Sequence, residues 1–551
     1  MSNQPNEIQN VDEMLKQPFD FSLEKNIEYI EQIIKSSVDF HNRRFVFHAA
    51  RDIKGICFYI EGLVNGDHIE RFLKTLMVTA VEIREFSDET LLGPQLLEKL
   101  KENLILNSGI NIIDKFEDAV NAILSGDTIV FLERCQKALQ ISTKGWDARS
   151  VSEPETEVVI RGPRDGFTEN IRTNTAHVRR RIRDPKLRFD PLVVGTRTKT
   201  DINIAYIEGI VKEELVEEVK SRIQKIKIDA ILESGYLEEL IEDAPRSPFT
   251  TVQSTERPDK VAAAILEGRV AIFVDNTPFV LIVPVVFWQF IQASDDYYSR
   301  YWVGSFFRVI RYIAFAISLI LPSIYVMLVS FHQEMIPTAL AITIASGREV
   351  VPFPVLVEAL IMEVAFELMR EAGLRMPKPI GSAVSIVGSL VIGQAAVQAG
   401  IISPFMVIIV AITGIASFAI PSYAASFSIR ILRFPLLIAS GTMGILGFAA
   451  VFFILVIHAL SLRSFGEAYL EPITPFLPSD QKDILIRVPW WKMDKRPHLA
   501  QGELGRQNNG QMPQPPKGGK VSVNKEQEQS SQDIEKSSKK KRTWRSNRDE
   551  E

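Results

Sequence analysis

The sequence predicts a soluble α/β half followed by an α-helical, multi-span membrane domain, and three observations support this division. Residues 1–300 are rich in charged side chains, whereas residues 301–460 are apolar and carry few charges. The first half alternates segments of helical periodicity with short apolar runs rich in β-forming residues. It also contains similar segments in repeated order, which indicates that the α/β half consists of two related subdomains.

The repeated segments form two pairs. Residues 57–76 and 204–223 both read YIEG, one aliphatic residue, Val and then an amphipathic helix. Residues 122–132 and 264–274 both predict the end of a helix, followed by a turn with Gly and then a strand. One such match arises easily by chance, but two matches in the same order favour a duplication.

Changes in composition supply the remaining domain boundaries. Both ends of the chain are polar, and the C-terminal end has the composition of a disordered segment. The predicted organisation is a disordered N-terminus (1–24), two cytoplasmic α/β subdomains (25–150 and 155–290), a transmembrane domain (300–465) and a polar, mostly disordered tail (466–551).

Charge and cysteine content exclude several classes of function. The chain has 63 Lys and Arg against 68 Asp and Glu, and this net charge of −5 gives no general case for nucleic-acid binding. Cys57 and Cys135 cannot build a disulfide framework, and no Cys/His set has zinc-ligand spacing. We therefore expect no metal and no cofactor. Residues 1–20 lack the pattern of a signal peptide, so we expect the soluble half to be cytoplasmic.

The second half contains apolar segments that are long enough to cross a bilayer, which takes about 20 residues. Residues 353–369 are ambiguous, because this apolar segment carries three glutamates and either spans, re-enters or lies at the surface. Cytoplasmic placement of all the flanking Lys and Arg clusters requires five spans, whereas the basic end of the tail favours four. The count stays at four or five. The unambiguous spans are residues 309–331, 383–402, 405–427 and 436–460.

The glutamates of residues 353–369 are the first candidate pore residues. Ionisable groups in a membrane cost about 2.5–3.5 kcal/mol each on insertion scales and usually face protein or water. Glu363 and Glu367 lie one helical turn apart, and Glu358 is about 140° round from Glu363. A ring of such helices would place carboxylates around a cation path. An amphipathic helix at the membrane surface, with its acids in water, is an equal alternative.

The helix predicted over residues 381–400 supplies the other candidate pore residues. It is rich in Gly, Ala and Ser, so it packs closely against its neighbours. Small polar residues beside a valine stripe suit a pore wall with a hydrophobic constriction, although ordinary helix packing is more common. The polar rows are Ser385 with Ser389 and Gln394 with Gln398, and the stripe consists of Val384, Val387 and Val391.

A segment rich in Gly and Arg precedes the second set of strands. RGPRDG at residues 161–166 places two glycines and a proline among charges, which predicts a constrained turn. The arginine-rich helix after it can bind phosphates, pair with the acidic helix over residues 208–218, or contact a neighbouring subunit. Aromatic residues are scarce here, so we do not expect nucleic acid as a partner. The candidate subunit-contact residues are Arg161, Asp165, Arg179, Arg180, Arg181 and Arg183.

Several long motifs resemble the A subunits of the GerA-type spore germination receptors. In the soluble half they are RGPRDGFTEN at residues 161–170, RRRIRDPKLRFD at 179–190 and GTRTKTDINIAYI at 195–207. In the apolar half they include REVVPFPVLVEALIMEVAFELMREAGLRMPKPIG at 348–381, followed by SIVGSLVIGQAAVQAGIISP. The resemblance runs from about residue 25 to about residue 478, and several long motifs in one order make it specific.

This resemblance implies a membrane component of a three-part receptor in the inner membrane of dormant endospores. Its partners would be a B subunit similar to amino-acid transporters, a lipoprotein C subunit, further A subunits and membrane lipid. The complex would sense small nutrients, mainly through the B subunit, and the A subunits would form a ring-shaped cation channel. No enzymatic activity is expected.

Three other functions stay open at this point. A paralogous channel of the same type would amplify ion flux during germination without sensing a nutrient. A secondary transporter would normally have inverted repeats in its spans, whereas the duplication found here lies in the soluble half. A membrane-tethered scaffold would bind nucleic acid or lipid through the arginine-rich helix, with a strong dependence on salt.

Overall fold

The structure is a computed structural model, and it describes residues 13–35, 37–48, 52–83, 109–145, 153–154, 157–376, 393–501, 505–506 and 512. In these residues the first half forms two antiparallel sheets with helices on their faces, and the second half forms a set of long helices. This arrangement confirms the predicted fold class. The chain up to Pro489, together with Lys495–Arg506, is one compact unit.

The first subdomain is a five-stranded antiparallel sheet between two helical layers. Its elements are α1 (Leu23–Ile34), β1 (Phe40–His48), β2 (Asp52–Ile60), α2 (Gly66–Ile83), β3 (Ile110–Ile113), α3 (Phe116–Leu124), β4 (Thr128–Leu132) and β5 (Ala138–Ile141). The strand order is β1-β2-β4-β5-β3. Because side chains alternate along a strand, Ile129 and Phe131 pack under α1 and α3, while Val130 and Leu132 pack under α2.

The second subdomain repeats this plan. Its elements are α4 (Ile171–Arg181), β6 (Leu187–Val194), β7 (Thr200–Ile207), α5 (Glu213–Lys225), α6 (Ser234–Ile241), β8 (Gln253–Thr255), α7 (Pro258–Leu266), β9 (Val270–Val274) and β10 (Val280–Val283). The strand order is β6-β7-β9-β10-β8. Helices α4 and α7 cover one face of this sheet, and α5 and α6 cover the other.

Equivalent strands and turns show that the two subdomains are related, as the repeated segments predicted. In each sheet two hairpins lie side by side and a separate strand closes the edge. The YIEG glycines Gly62 and Gly209 have φ angles of 85° and 84°. The turn glycines Gly126 and Gly268 have φ angles of 89° and 87°. These angles lie in the left-handed region that favours Gly, which explains why the sequence repeats keep it.

The second half begins with a short helix and continues with long ones. In order they are α8 (Asp295–Tyr298), α9 (Tyr301–Phe331), α10 (Thr338–Arg348), α11 (Val355–Arg375), α12 (Pro404–Phe418) and α13 (Tyr423–Ser461). Within the described residues, α9 and α13 are long and apolar enough to cross a membrane, and α12 is a shorter apolar helix. A further span was predicted at residues 383–402. Its residues 393–398 are helical, and its residues 383–392 lie outside the described residues.

Two predicted spans have different limits in the structure. The segment 405–427 is broken, because α12 ends at Phe418 and α13 begins at Tyr423. Pro421 lies in the break, and Ser422 caps α13 by accepting a hydrogen bond from a backbone N–H of its first turn. The segment 436–460 is the second part of the 39-residue α13, whose backbone leaves helical geometry at Gly444 with a φ of 62°.

The chain returns to the soluble half after α13. The Ser464 hydroxyl donates to the backbone oxygen of Thr251, at 2.7 Å, and accepts the backbone N–H of Val285, at 3.0 Å. The backbone N–H of Phe287 donates to the oxygen of Tyr469 at 2.8 Å. Both ends of the helical half therefore meet the second subdomain.

Candidate functional site

Asp296 in α8 connects the residues that follow the soluble half to α9, the first long helix. Its carboxylate is 1% exposed and accepts hydrogen bonds from Arg308 Nε at 3.1 Å and Arg311 Nη1 at 2.9 Å. The two arginines lie three residues apart in α9, so they project from the same face of the helix. The first turns of α9 are thereby tied to the residues that precede it.

Asp483, which follows α13, joins the same cluster. Arg308 Nη1 donates to its Oδ1 at 2.8 Å, and the Tyr297 hydroxyl donates to its Oδ2 at 2.6 Å. Burial raises the pKa of Asp483 although Arg308 opposes this, and burial raises the pKa of Tyr297 well above its ordinary value. Arg487 Nη1 donates to the backbone oxygen of Asp296 at 2.7 Å. We call Asp296, Tyr297, Arg308, Arg311, Asp483 and Arg487 the basal cluster.

Close backbone packing reinforces the basal cluster. A Cβ atom on Gly304 would lie 2.6 Å from the backbone oxygen of Asp296, so only glycine allows this approach of α8 and α9. From the sequence alone, Arg308 and Arg311 belong to the Lys and Arg clusters that flank the predicted spans. The signal for their role was the acidic pair in DDYY at residues 295–298, placed just before a helix with arginines at i and i+3.

The RGPRDG segment forms the predicted constrained turn and lies against α8. Gly162 has a φ of 143°, and a Cβ there would lie 2.6 Å from the ring of Tyr298. The backbone N–H of Arg161 donates to Asp295 Oδ1 at 3.2 Å. Arg257 Nη2 donates to the backbone oxygen of Pro163 at 3.0 Å. The turn therefore contacts the residues immediately before the basal cluster.

Arg179 lies between the two subdomains. Its side chain is 0% exposed and forms two hydrogen bonds with Asp39, both at 2.9 Å. It also donates to the backbone oxygen of Leu187 at 3.0 Å. Burial raises the pKa of Asp39, but the charge and hydrogen bonds of Arg179 outweigh burial, and the net pKa is lowered. The Arg179 guanidinium is thus enclosed within one chain, and its predicted role in contacts between subunits stays a prediction.

Arg181 also has its partner within the chain. Its Nη2 lies 2.6 Å from both carboxylate oxygens of Asp165, and its Nη1 donates to the backbone oxygen of His177 at 2.9 Å. The proximity of His177 and the hydrogen bonds from Arg181 lower the pKa of Asp165 far below its ordinary range, against the effect of burial. Arg180, Arg183 and the side chain of Arg161 are exposed, so a contact with another subunit remains a prediction for these three.

The glutamates of α11 face neighbouring helices. Glu358 is 0% exposed and accepts the backbone N–H of Ser403 at 2.6 Å and the hydroxyl of the same serine. Glu363 is 1% exposed and accepts from Arg433 Nη1 at 2.6 Å. Arg433 Nε also donates to the backbone oxygen of Ser318 in α9, at 2.8 Å. A surface helix with its acids in water is excluded by this burial.

Glu367 is the most exposed of the three candidate glutamates in α11. It accepts from Arg430 Nη1 at 2.9 Å and from Arg370 Nη1 at 3.4 Å. Arg370 Nη2 also donates to the Ser417 hydroxyl of α12 at 2.9 Å. Arg430 and Arg433, which belong to the Lys and Arg clusters flanking the predicted spans, are thus the partners of Glu367 and Glu363.

The second group of pore candidates falls mainly outside the described residues. Val384, Val387, Val391, Ser385 and Ser389 all lie there. Gln394 and Gln398 belong to the helical residues 393–398, and both side chains are exposed in the single chain. A pore role for these seven residues stays a prediction.

One group in the described part of the chain brings together three possible metal ligands. Atoms of Glu467, Glu471 and His498 lie within 4.8 Å of one another. The ammonium group of Lys212 pairs with Glu467, and His498 Nδ1 lies 3.6 Å from Glu471. Lys212 thus supplies a positive charge beside the two carboxylates of this group.

The sequence matches a family model over most of its length. The matching model describes the Bacillus/Clostridium GerA spore germination protein and aligns with residues 28–499. The chain belongs to the GerA family. The resemblance seen in the motifs is thereby confirmed, and the match includes the RGPRDG turn, the basal cluster and the glutamates of α11.

Curated members of the GerA family are similar over nearly the whole chain. Spore germination protein KA of Bacillus subtilis (strain 168) is 46% identical over 495 residues, which is 90% of each chain. The membrane protein YfkQ of the same organism is 45% identical over 490 residues, 89% of this chain and 93% of that protein. Spore germination protein GerLA of Bacillus cereus is 40% identical over 443 residues, 80% of this chain and 88% of that protein.

One solved structure is also similar. The crystal structure of the N-terminal domain of the A subunit of the Bacillus megaterium spore germinant receptor GerK3 is 34% identical to this chain. The alignment covers 49% of this chain and 98% of that chain, with a TM-score of 0.40.

Proposed function

We propose that this chain is the membrane A subunit of a spore germinant receptor, in which several copies form a cation channel that opens when a nutrient binds. A role in germination is supported by its relatives, since family members with 46% and 40% identity are spore germination proteins. The channel mechanism rests chiefly on the basal cluster, in which Asp296 before the first long helix and Asp483 after the last one both bind Arg308 of α9.

The membrane topology of the proposed subunit has an even number of crossings. Helix α9 starts at the basal cluster, and the chain after α13 returns to that cluster through Asp483. A chain that leaves the membrane on the side where it entered has crossed it an even number of times. We therefore favour four spans over five, with the soluble half and the residues after α13 on the cytoplasmic side of the spore inner membrane.

A test of this topology uses cysteines introduced at exposed positions. Cys57 and Cys135 are buried, so the native background should be low. Arg197→Cys in the soluble half and Ser479→Cys after α13 should react with a membrane-impermeant maleimide on the same side of sealed vesicles. Labelling on opposite sides would require an odd number of crossings.

The proposed coupling between soluble domain and pore runs through α8. Asp165 belongs to the RGPRDG turn, which contacts Asp295 of α8. The residue after Asp295 is Asp296, which binds Arg308 of α9. Movement of the second subdomain would therefore reach α9 through consecutive residues. To shift the ratio of open to closed channels from 1:99 to 99:1, the nutrient must bind the open state more tightly than the closed state by about 5.5 kcal/mol.

The proposed partners are a B subunit resembling amino-acid transporters, a lipoprotein C subunit and further A subunits. Exposed aromatic residues at the start of α9 support a lipid or subunit environment there, since Trp302, Phe306 and Phe307 are each more than half exposed in the single chain. Gln394 and Gln398 are exposed in the helical residues 393–398, which leaves their side chains available to face a lumen or another subunit.

The experiment that tests the proposal measures potassium release from spores in which this chain is the sole receptor of its type. Native partners are present, nutrients are added, and wild type is compared with Val391→Ala. We expect nutrient-triggered release in wild type and spontaneous or altered leakage in the variant at normal protein levels. Val357→Ala, an exposed valine of α11, is the matched control and should behave as wild type.

Other results redirect or contradict the proposal. Release unchanged by Val391→Ala would remove this residue from the gate and move the search to Glu363. Nutrient-triggered release that persists in spores lacking the chain, for every nutrient tested, would contradict the receptor function and favour the amplifying channel.

A further inference from the structure

A cavity of about 460 Å³ lies between the two subdomains, beside the end of the arginine-rich helix α4. One wall belongs to the first subdomain and includes Ser125, in the turn after α3, and Lys144, which follows β5. The other wall belongs to the second subdomain and includes Arg180, Arg181 and Arg183. Small-molecule sites have volumes of about 300–1,000 Å³ and often lie between domains.

The charge of this cavity is strongly positive. Four cationic side chains and a single carboxylate, that of Asp165, line it. Asp165 is bound through both oxygens by Arg181, so these two charges offset each other. On the opposite wall, Lys144 Nζ lies 3.5 Å from Asp127, a separation at which the ammonium group can still donate to a ligand.

The like charges that line this cavity repel one another. Partial burial, followed by the charge of Arg181, lowers the pKa of Arg180, while the charge of Asp165 opposes this shift. An anion placed among these groups would relieve that repulsion and would accept charge-assisted hydrogen bonds from both walls. Guanidinium groups are well suited to phosphate because their planar N–H groups match its oxygens in pairs.

We infer that this cavity is a binding site for a small phosphate-bearing anion, held between Lys144 of the first subdomain and Arg180 and Arg183 of the second. This site contains no residue of the basal cluster. The phosphate group belongs either to a soluble metabolite or to a lipid headgroup, and the two sources share the same chemistry. Because Asp165 is part of the RGPRDG turn, a bound anion would lie against the turn that contacts α8.

The experiment uses the full chain in uncharged detergent micelles and isothermal titration with inorganic pyrophosphate at constant ionic strength. We expect saturable binding of one pyrophosphate per chain. Arg180→Gln with Arg183→Gln should weaken binding about tenfold or more, since each removes a charged hydrogen-bond donor. Lys144→Gln should also weaken it, because the ligand bridges both walls.

A matched control separates a built site from general attraction to positive charge. Arg197→Gln removes an exposed arginine of the β6–β7 turn, outside the cavity, and should leave the affinity unchanged. Arg180 and Arg183 are exposed, so their variants should keep the thermal unfolding midpoint of wild type. A parallel titration with short-chain phosphatidylglycerol and with glycerol phosphate distinguishes the sources: binding of glycerol phosphate supports a soluble ligand, and binding of the lipid alone supports a headgroup.

Three outcomes would overturn the inference. The first is no saturable binding of pyrophosphate, glycerol phosphate or phosphatidylglycerol at millimolar concentration. The second is an equal loss of affinity in Arg197→Gln, which would indicate non-specific attraction. The third is binding that survives removal of Lys144, Arg180 and Arg183 together.

Discussion

Arg179 illustrates, at the scale of one residue, what a buried charge contributes to the soluble half. Its guanidinium and the carboxylate of Asp39 are both removed from water, so each depends on the other. Removal of one partner leaves an uncompensated buried charge, which costs about 3–5 kcal/mol. Arg179→Ala is therefore expected to lower the free energy of unfolding by this amount and to lower the thermal midpoint of the full chain in detergent.

The control for this prediction is Arg183→Ala, just beyond the end of the same helix. Its side chain is exposed, so the free energy of unfolding should change by less than about 0.5 kcal/mol. Equal midpoints for the two variants would contradict a structural role for the Arg179–Asp39 pair.

Glu238 in α6 is predicted to make stability depend on pH. Burial, followed by the charges of Glu242 and Glu233, raises its pKa to about 7. The folded chain therefore holds a proton that the unfolded chain releases above about pH 4.3. Its contribution to stability is fully present below that pH and is lost as the pH rises through 7.

Glu238→Gln removes this titration and is expected to stabilise the chain at pH 8 by on the order of 1–2 kcal/mol, with little change at pH 4. Thermal unfolding at both pH values measures the effect. Glu239→Gln changes an exposed neighbour and should not produce the same difference between the two pH values. If the thermal midpoints of Glu238→Gln and wild type differed by the same amount at both pH values, this explanation would be contradicted.

At the scale of elements, the contact between α8 and α9 depends on Gly304. Alanine normally stabilises a helix interior by about 1 kcal/mol relative to glycine. Here the added Cβ would lie 2.6 Å from a backbone oxygen, so α9 must shift, and overpacking of this kind costs about 1–3 kcal/mol. Gly304→Ala is thus expected to destabilise the chain and to weaken nutrient-triggered potassium release.

Gly347 in α10 provides the comparison. A Cβ there would meet Phe405 at 3.7 Å, an ordinary contact. Gly347→Ala should therefore be neutral or slightly stabilising, as helix propensity predicts. If Gly304→Ala were as stable and as active as Gly347→Ala, the close packing at the basal cluster would not matter for coupling.

The elements that the sequence predicted correctly are those specified locally. The YIEG and glycine-turn repeats mark equivalent backbone positions, because a left-handed φ requires glycine at Gly62 and Gly209. Periodicity was less informative in the apolar half, where almost every residue is hydrophobic. The break between α12 and α13 was missed because Pro421 and Ser422 interrupt an otherwise continuous apolar run.

The candidate sites were predicted as sets of charges but not as pairs. Glu363 is identified from the sequence as a charge in an apolar segment, yet the sequence does not show that it meets Arg433, 70 positions away. The same holds for Arg308 and Asp483, which are 175 positions apart. Sequence patterns reveal which charges lie in an apolar segment, whereas only the packing of α9, α11 and α13 decides whether they face each other, water or another subunit.

At the scale of the whole molecule, buried ion pairs connect successive layers. Arg179 joins the two subdomains, the basal cluster joins α8 to α9, and the Glu363–Arg433 pair joins α11 to α13. Each of these contacts is geometrically specific, so in the proposed coupling a change in one layer would displace the next layer. This organisation suits a protein that transmits a state from a soluble domain to membrane helices.

The pair of Glu363 and Arg433 decides whether the acids of α11 hold the bundle together or carry ions. If they are structural, Glu363→Met or Arg433→Met alone leaves a buried charge and should cost about 3–5 kcal/mol, whereas the double variant should be close to neutral. We expect this pattern, because the carboxylate is enclosed by its partner within one chain. The measurements are the amount of folded chain in spore membranes and nutrient-triggered potassium release. Glu371→Ala, which breaks an exposed pair on the same helix, should change neither. A double variant that reaches normal levels but releases potassium abnormally would instead place Glu363 on the ion path.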